Sequence, residues 1–161
     1  LAEAGADLLI VETMTGLDEA MIALAAAKHV APHLPLIATL TFMKSARGFS
    51  LADGTELQIC AMVLADAGAD AIGSNCGTGL AQMLEIARAF QGLTELPLVF
   101  QPSAGLPELT AGKAVYPDKP ELFSEWIPEL LAAKTRMLGG CCGCGPAHIR
   151  AIRNAIDAFE P

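Results

Sequence analysis

Short apolar runs alternate with longer segments of mixed polarity along most of the chain. Five runs have the length and aliphatic character of buried strands, and they cover 7–11, 36–42, 69–75, 97–101 and 135–140. Helices are predicted over 17–29, 55–67, 79–90, 122–134 and 146–159. Strands that alternate with single helices pair in parallel through right-handed crossovers. The pattern therefore predicts an α/β fold.

Two short motifs that occur twice in the sequence indicate repeated strand and helix units. Gly5-Ala6-Asp7 precedes the first strand as Gly68-Ala69-Asp70 precedes the third, and Leu34-Pro35-Leu36-Ile37 is echoed by Leu96-Pro97-Leu98-Val99. A (β/α)8 TIM barrel has eight such units in about 250 residues. Five strands do not close a barrel, and the first and fifth would present open edges. We expect a further segment of the same protein, or a companion chain, to supply the strands that precede these five.

Composition narrows the class of protein. The 161 residues are 53% hydrophobic but only 5% aromatic, which suits buried parallel strands covered by alanine-rich helices. A formal net charge of −8 argues against nucleic acid or an anionic membrane as a partner. The apolar runs are shorter than the roughly 20 residues that span a bilayer. Five cysteines, an odd number, favour a reducing cytoplasm over a secreted disulfide framework.

Three cysteines follow predicted strands and should share one edge of the sheet. Cys141 and Cys142 follow the fifth strand between glycines, and Cys76 follows the third. Neighbouring residues on a regular strand point to opposite faces, so the flanking glycines are needed to turn both thiols toward one site. Thiolates suit zinc, and three protein ligands leave its fourth tetrahedral position open to a substrate. Alternatives are a structural zinc site, buried free thiols, or a strained disulfide between the adjacent cysteines.

The positions of the remaining cysteines and of the histidines give less support for a role as metal ligands. Cys60 lies at an apolar position of a predicted helix, and we expect it in the core. Cys144 is either packed under the rim or a thiol that competes for the metal. The three histidines, His29, His33 and His148, lie near helix ends away from the predicted rim, so we do not expect them to be ligands.

Two polar side chains stand beside the cysteines in the predicted arrangement. Glu12 ends an otherwise apolar strand, which places its carboxylate at the face of a barrel where catalytic residues lie. Its alternative role is a helix cap or a surface ion pair. Asn75 precedes Cys76, and it would orient a cysteine, meet the substrate, or simply favour a turn. The polar loop predicted over 44–54 would cover the site, bind a cofactor domain or remain an ordinary solvated loop. A second, longer irregular loop is predicted over 106–120.

Several motifs together resemble the zinc-dependent homocysteine S-methyltransferase family over nearly the whole chain. They are Glu12-Thr13-Met14, Gly73-Ser74-Asn75-Cys76, Pro102-Ser103-Ala104-Gly105-Leu106-Pro107, Gly139-Gly140-Cys141-Cys142-Gly143 and Pro146-Ala147-His148-Ile149-Arg150. Thr39-Leu40-Thr41-Phe42 with Arg47-Gly48-Phe49 looks most like the homocysteine-binding domain of cobalamin-dependent methionine synthase.

The resemblance implies a site and a reaction. The zinc ligands and catalytic residues would be Cys76, Cys141 and Cys142. Glu12 and Asn75 would bind the substrate, with Glu12 holding the amino group of homocysteine. The product would be methionine. The methyl donor would be methylcobalamin on another domain or protein, with S-methylmethionine and betaine as alternatives. A noncatalytic zinc-binding fragment, or an assembly partner of a larger methyltransferase, is the other function that the sequence leaves open.

The resemblance also defines the extent of the domain. Residues 1–161 would be the carboxyl-terminal portion of a homocysteine-binding (β/α)8 barrel, containing its strands four to eight. Two positions depart from the family pattern. Ser103 stands where methionine synthase relatives commonly have asparagine, and Cys144 stands where the family usually has a hydroxyl residue.

Overall fold

The computed structural model describes residues 1–159, which form alternating strands and helices. A short 3-10 helix, Ala2–Ala4, comes first. In chain order the other elements are β1 Leu9–Met14, α1 Leu17–Val30, β2 Leu36–Leu40, β3 Met43–Ser45, β4 Gly48–Ser50, α2 Leu57–Asp66, β5 Ala71–Asn75, α3 Leu80–Phe90, β6 Leu98–Gln101, β7 Glu108–Thr110, β8 Lys113–Val115, α4 Pro120–Ala132, β9 Thr135–Leu138 and α5 Pro146–Asp157. The predicted five strand and helix units are confirmed.

The main sheet has five strands in the order β1-β2-β5-β6-β9, and every neighbouring pair is parallel. Strands β2 and β5 are buried at every position, as expected for central strands of a parallel sheet covered on both faces. Because all five strands run the same way, their carboxyl ends meet at one edge of the sheet. The segments after β1, β5, β6 and β9 are therefore neighbours.

The two faces of the sheet have different packing. Along β2, Leu36, Ala38 and Leu40 belong to the large core beneath the helices, whereas Ile37 lies in a small cluster with Ala71 and Val99. Successive side chains of a strand point to opposite faces, so this small cluster marks the face away from the helices. In the large core Phe90 packs edge to face against Phe42 and Phe100, with centroid distances of 5.8 Å to each.

Two hairpins correct the prediction of irregular loops. The 44–54 stretch forms the β3–β4 hairpin, because Phe49 is apolar and its burial against the core fixes the second strand. The stretch 106–120, predicted to be irregular, contains the β7–β8 hairpin. Ala111 and Gly112 form its turn with positive φ angles of 50° and 75°, the backbone twist that two-residue hairpin turns need.

The outer strands of the sheet, β1 and β9, each pair on one side only within residues 1–159. Leu8, just before β1, and Ile10, in β1, are 40% and 43% exposed, although a central parallel strand would bury such side chains. This part of the chain is thus an open, partial barrel. None of its helices has the length and apolar character required to cross a membrane.

Candidate metal centre

The structure brings the three predicted cysteines together at the carboxyl edge of the sheet. One Sγ atom from each of Cys76, Cys141 and Cys142 lies within 4.8 Å of the other two. The Sγ atoms of Cys76 and Cys142 are 3.5 Å apart. Cys142 is exposed, whereas Cys76 and Cys141 are half-buried. The cluster therefore has a solvent-facing side from which a small molecule can approach.

Backbone hydrogen bonds to the last residue of β6 and to the segment after it hold both cysteine loops. The amide of Cys76 donates to the Gln101 carbonyl at 3.1 Å, and the amide of Cys141 donates to the Pro102 carbonyl at 2.9 Å. The Cys142 carbonyl accepts from the Ala104 amide at 2.8 Å. Since β6 lies between β5 and β9, its end fixes the distance between the two loops.

Glycines allow the chain to turn sharply around the cysteine pair. Gly143 has a φ of +78°, and a Cβ atom there would collide with the ring of Tyr116. A Cβ atom on Gly140 would lie 2.6 Å from the side chain of Cys144. Gly143 therefore allows a left-handed backbone conformation, and both glycines allow a neighbouring side chain to approach closely. A regular strand of larger residues would allow neither.

The thiols differ in their readiness to ionise. Burial opposes ionisation of Cys76, but hydrogen bonds from Cys142, the Gly77 amide, Cys141 and Ser103 bring the pKa of Cys76 below its ordinary value. Burial, together with the neighbouring charge of Cys76, raises the pKa of Cys141 to about 12. Without a cation, Cys76 therefore ionises more readily than Cys141. A bound cation would favour the thiolate of every cysteine in the cluster.

Asn75 is fully buried, and its side chain is bonded within the protein. Its Oδ1 accepts from the Thr13 amide and the Thr39 hydroxyl, both at 2.8 Å. Its Nδ2 donates to Thr13 Oγ1 at 2.7 Å and lies 3.7 Å from Cys141 Sγ. These contacts join β1, β2 and β5 to the cysteine loop. Glu12, the residue before Thr13, is exposed at the same edge.

The other candidates lie away from the cluster. His29 and His33 are exposed near the end of α1, and Cys60 is fully buried in α2, where burial raises its pKa to about 12. The thiol of Cys144 faces the Pro102 carbonyl at 3.6 Å, which favours packing over competition for a metal. The Ser103 hydroxyl lies 3.9 Å from Cys76 Sγ. A serine at this position therefore still provides a polar contact to the cluster.

His148 has a structural role that the sequence analysis missed. Its Nδ1 accepts from the Gly145 amide at the start of α5, and its Nε2 lies 3.1 Å from the Asp118 carbonyl. The ring therefore carries its proton on Nε2 and ties α5 to the loop before α4. The sequence did contain a signal for this capping role, because His148 is a polar residue at the third position of a helix that begins with proline. Tyr116 was also missed, because its contact with Gly143 depends on an unpredicted hairpin.

Comparison with known proteins gives close relatives for nearly the whole chain. The methionine synthase of Mycobacterium tuberculosis is 32% identical over 161 aligned residues, which cover 97% of this chain and 13% of that protein. The homocysteine S-methyltransferase of Escherichia coli is 31% identical over 156 residues, which cover 95% of this chain and 49% of that protein. The chain thus spans about half the length of the E. coli relative and a smaller share of the mycobacterial one.

Solved structures agree with this relationship. The metallated form of the E. coli homocysteine methyltransferase MmuM superposes with a TM-score of 0.75 at 32% identity, covering 96% of this chain and 46% of that chain. Its apo form also gives a TM-score of 0.75, at 31% identity. These matches confirm the predicted fold class, an α/β fold with part of a TIM-type barrel. The profile of the family described as homocysteine S-methyltransferase matches residues 1–156. The chain belongs to the homocysteine S-methyltransferase family.

Proposed function

We propose that residues 1–161 are the carboxyl-terminal portion of a homocysteine-binding barrel that transfers a methyl group to homocysteine, forming methionine. The observation that supports this most is the group of three cysteine thiols within 4.8 Å of one another, open to solvent at the carboxyl edge of a parallel sheet. Such an edge is where (β/α)8 enzymes have their active sites. Membership of the family makes homocysteine the expected substrate.

The cysteine cluster fits zinc in ligand type and spacing. Zinc binds thiolates at about 2.3 Å in a tetrahedron, so two ligand sulfurs should be about 3.8 Å apart. The separations here, 3.5 Å for one pair and within 4.8 Å for all three, require only small side-chain shifts. The chemistry that zinc supplies when bound is to keep a coordinated substrate thiol ionised near neutral pH. Cys76, Cys141 and Cys142 would hold it and leave one position for the homocysteine sulfur.

Other residues at the edge would bind and orient the substrate. Glu12 is exposed near the carboxyl end of β1, and its carboxylate suits the ammonium group of homocysteine. The hydrogen bonds of Asn75 favour its orienting a cysteine over its meeting the substrate. As the S–C bond of methionine forms, the bond between the methyl carbon and its donor breaks, and the donor keeps the electron pair.

The donor we propose is methylcobalamin carried on another domain or protein. Support comes from the resemblance at 39–49 to cobalamin-dependent methionine synthase, and from relatives named methionine synthase. S-methylmethionine and betaine are the alternatives.

A noncatalytic zinc-binding fragment, or an assembly partner of a larger methyltransferase, is the second candidate function, and the open edges of the sheet favour it. Binding of homocysteine by the zinc-loaded chain separates the two functions.

Homocysteine should add a fourth sulfur to the zinc. We expect X-ray absorption of the zinc-loaded chain with saturating homocysteine to show four sulfurs at about 2.3 Å. Binding should release about one proton near neutral pH, because the thiol becomes a thiolate. Homoserine, which has a hydroxyl in place of the thiol, is the control and should add no sulfur. A spectrum unchanged by homocysteine would show that the metal site is structural or that the substrate pocket of this chain is incomplete.

Glu12→Gln should weaken homocysteine binding while zinc stays bound. The change keeps the shape of the side chain and removes its charge. We expect a loss of about 1.5–3 kcal/mol in binding free energy, the range for a hydrogen bond to a charged group, measured by calorimetry. Glu19→Gln, at an exposed carboxylate of α1, is the matched control and should bind as the parent does. Loss of zinc in Glu12→Gln would make Glu12 a ligand instead.

A further inference from the structure

The side chain of Asn75 uses its full hydrogen-bonding capacity. Two donors reach its oxygen at 2.8 Å, and its two N–H groups face Thr13 Oγ1 and Cys141 Sγ. An amide offers two lone pairs and two donors, so none is left for a ligand. The side chain is also completely inaccessible to solvent. Any influence of Asn75 on substrate must therefore act through the groups that it holds.

Two residues next to the Asn75 side chain or in the adjoining chain have an uncommon backbone conformation. Thr13 and Cys76 have φ angles of 60° and 61°, in the left-handed region that non-glycine residues seldom occupy. Asn75 immediately precedes Cys76 and bonds both the amide and the hydroxyl of Thr13. Strained residues persist where surrounding contacts over-determine them, and they are concentrated at functional sites. Here one strained residue, Thr13, follows the candidate substrate carboxylate, Glu12, and the other, Cys76, is itself a candidate ligand.

We propose that Asn75 is a positioning residue that couples the carboxylate of Glu12 to the thiol of Cys141. Its oxygen holds the turn at Thr13 that directs Glu12, and its amide hydrogen bond sets the direction of the Cys141 thiol. The Thr39 hydroxyl fixes the amide from the side of β2. The Glu12 part rests on the proposed function, whereas the Cys141 part requires only that the cluster binds a metal.

Thr39→Val tests this coupling without touching a ligand or the substrate. Valine has the shape of threonine but lacks the hydroxyl that donates to Asn75. Thr135→Val is the matched control, since the Thr135 hydroxyl is buried and has no hydrogen-bond partner among residues 1–159. Ser74→Ala is a second control, because it removes a buried hydroxyl that donates at 2.8 Å to Leu40 and not to Asn75. Thermal unfolding of each variant reports any general loss of stability.

The first measurement is zinc affinity, by competition with a chelator. Asn75→Ala should weaken zinc binding by about 10- to 100-fold, the usual effect of removing a group that orients a ligand. Thr39→Val should weaken it by about fivefold, the equivalent of one hydrogen bond, and both controls should match the parent. With cobalt in place of zinc, the sulfur-to-metal absorption band should shift in Asn75→Ala. Parent-like zinc affinity and an unshifted band in that variant would overturn the Cys141 part.

The second measurement is a double-mutant cycle on homocysteine affinity. Thr39→Val should weaken homocysteine binding by about fivefold in the parent. Its effect should be clearly smaller in a Glu12→Gln background, because the carboxylate that Asn75 directs is absent. Equal effects in the two backgrounds, or an equal loss in Ser74→Ala, would overturn the Glu12 part. If the zinc-loaded parent binds no homocysteine, either alone or with the first three strand and helix units of the family supplied, the proposed function and the Glu12 part are refuted. The zinc measurement alone then decides the Cys141 part.

Discussion

Replacement of Cys76, Cys141 or Cys142 by alanine should abolish tight zinc binding. Loss of a group that only supports a ligand costs about 10- to 100-fold in metal affinity, so loss of a ligand should cost more than about 100-fold. The remaining two thiols do not complete the coordination that zinc prefers. We expect one zinc per chain in the parent and none after dialysis of each variant, measured by elemental analysis of the purified protein.

The two other cysteines provide matched controls for this prediction. Cys144→Ser keeps a hydroxyl-sized group close to the cluster, and Cys60→Ala removes a thiol that is fully buried in α2. Both should retain one zinc per chain. Full zinc retention by Cys142→Ala would remove that residue from the proposed ligands. Loss of zinc in Cys144→Ser would instead assign Cys144 as a ligand, the alternative that its contact with Pro102 argues against.

The position of the cysteine cluster follows from features that are visible in the sequence. Apolar runs predict the strands, and alternation with helices makes the strands parallel. The residues after β5 and β9 must then meet at one edge, even though Cys76 and Cys141 are 65 positions apart. Glycines beside the cysteines indicate that the backbone leaves the strand conformation there. Local pattern and topology together were sufficient to place the thiols near one another.

The end of β1 shows why the boundaries were less accurate. The sequence predicts a strand over 7–11, but the structure extends it to Met14, which pairs with Leu40 after an irregularity in the register. Glu12 and Thr13 are polar, so the apolar pattern stops before the pairing does. The pairing continues because Thr13 takes a left-handed backbone and bonds Asn75. That contact joins residues 62 positions apart, and no local signal encodes it.

The β7–β8 hairpin is a second feature that the sequence did not predict. Ala111-Gly112 is not one of the Asn-Gly or Asp-Gly pairs that mark two-residue hairpin turns, and the strands on either side are exposed at every position. Neither turn chemistry nor alternation therefore indicates a hairpin. The position of Tyr116 against Gly143 follows from this hairpin. The part of the site that could not be predicted is the layer of contacts around the cysteines, not the cysteines themselves.

The isolated chain should self-associate and show little methyl transfer until the missing strands of the barrel are supplied. Within residues 1–159, strands β1 and β9 each pair on one side only. Leu8, just before β1, and Ile10, in β1, are about 40% exposed. Such edges promote association. Addition of a polypeptide containing the first three strand and helix units of the family should give a one-to-one complex. A 1 Å displacement of a catalytic group can cost about 100-fold in rate, so turnover could rise by that order.

Two single substitutions distinguish association through the open β1 edge from nonspecific hydrophobic association. Ile10→Lys places a charge on the open β1 edge and should prevent both self-association and formation of the complex, while zinc remains bound. Ile22→Lys changes a residue of α1 that is 71% exposed and should leave both unaffected. Light scattering and a homocysteine methylation assay on the same samples measure the outcome. A stable monomer with full turnover by itself would refute the incomplete-barrel proposal, and complex formation by Ile10→Lys would place the contact elsewhere.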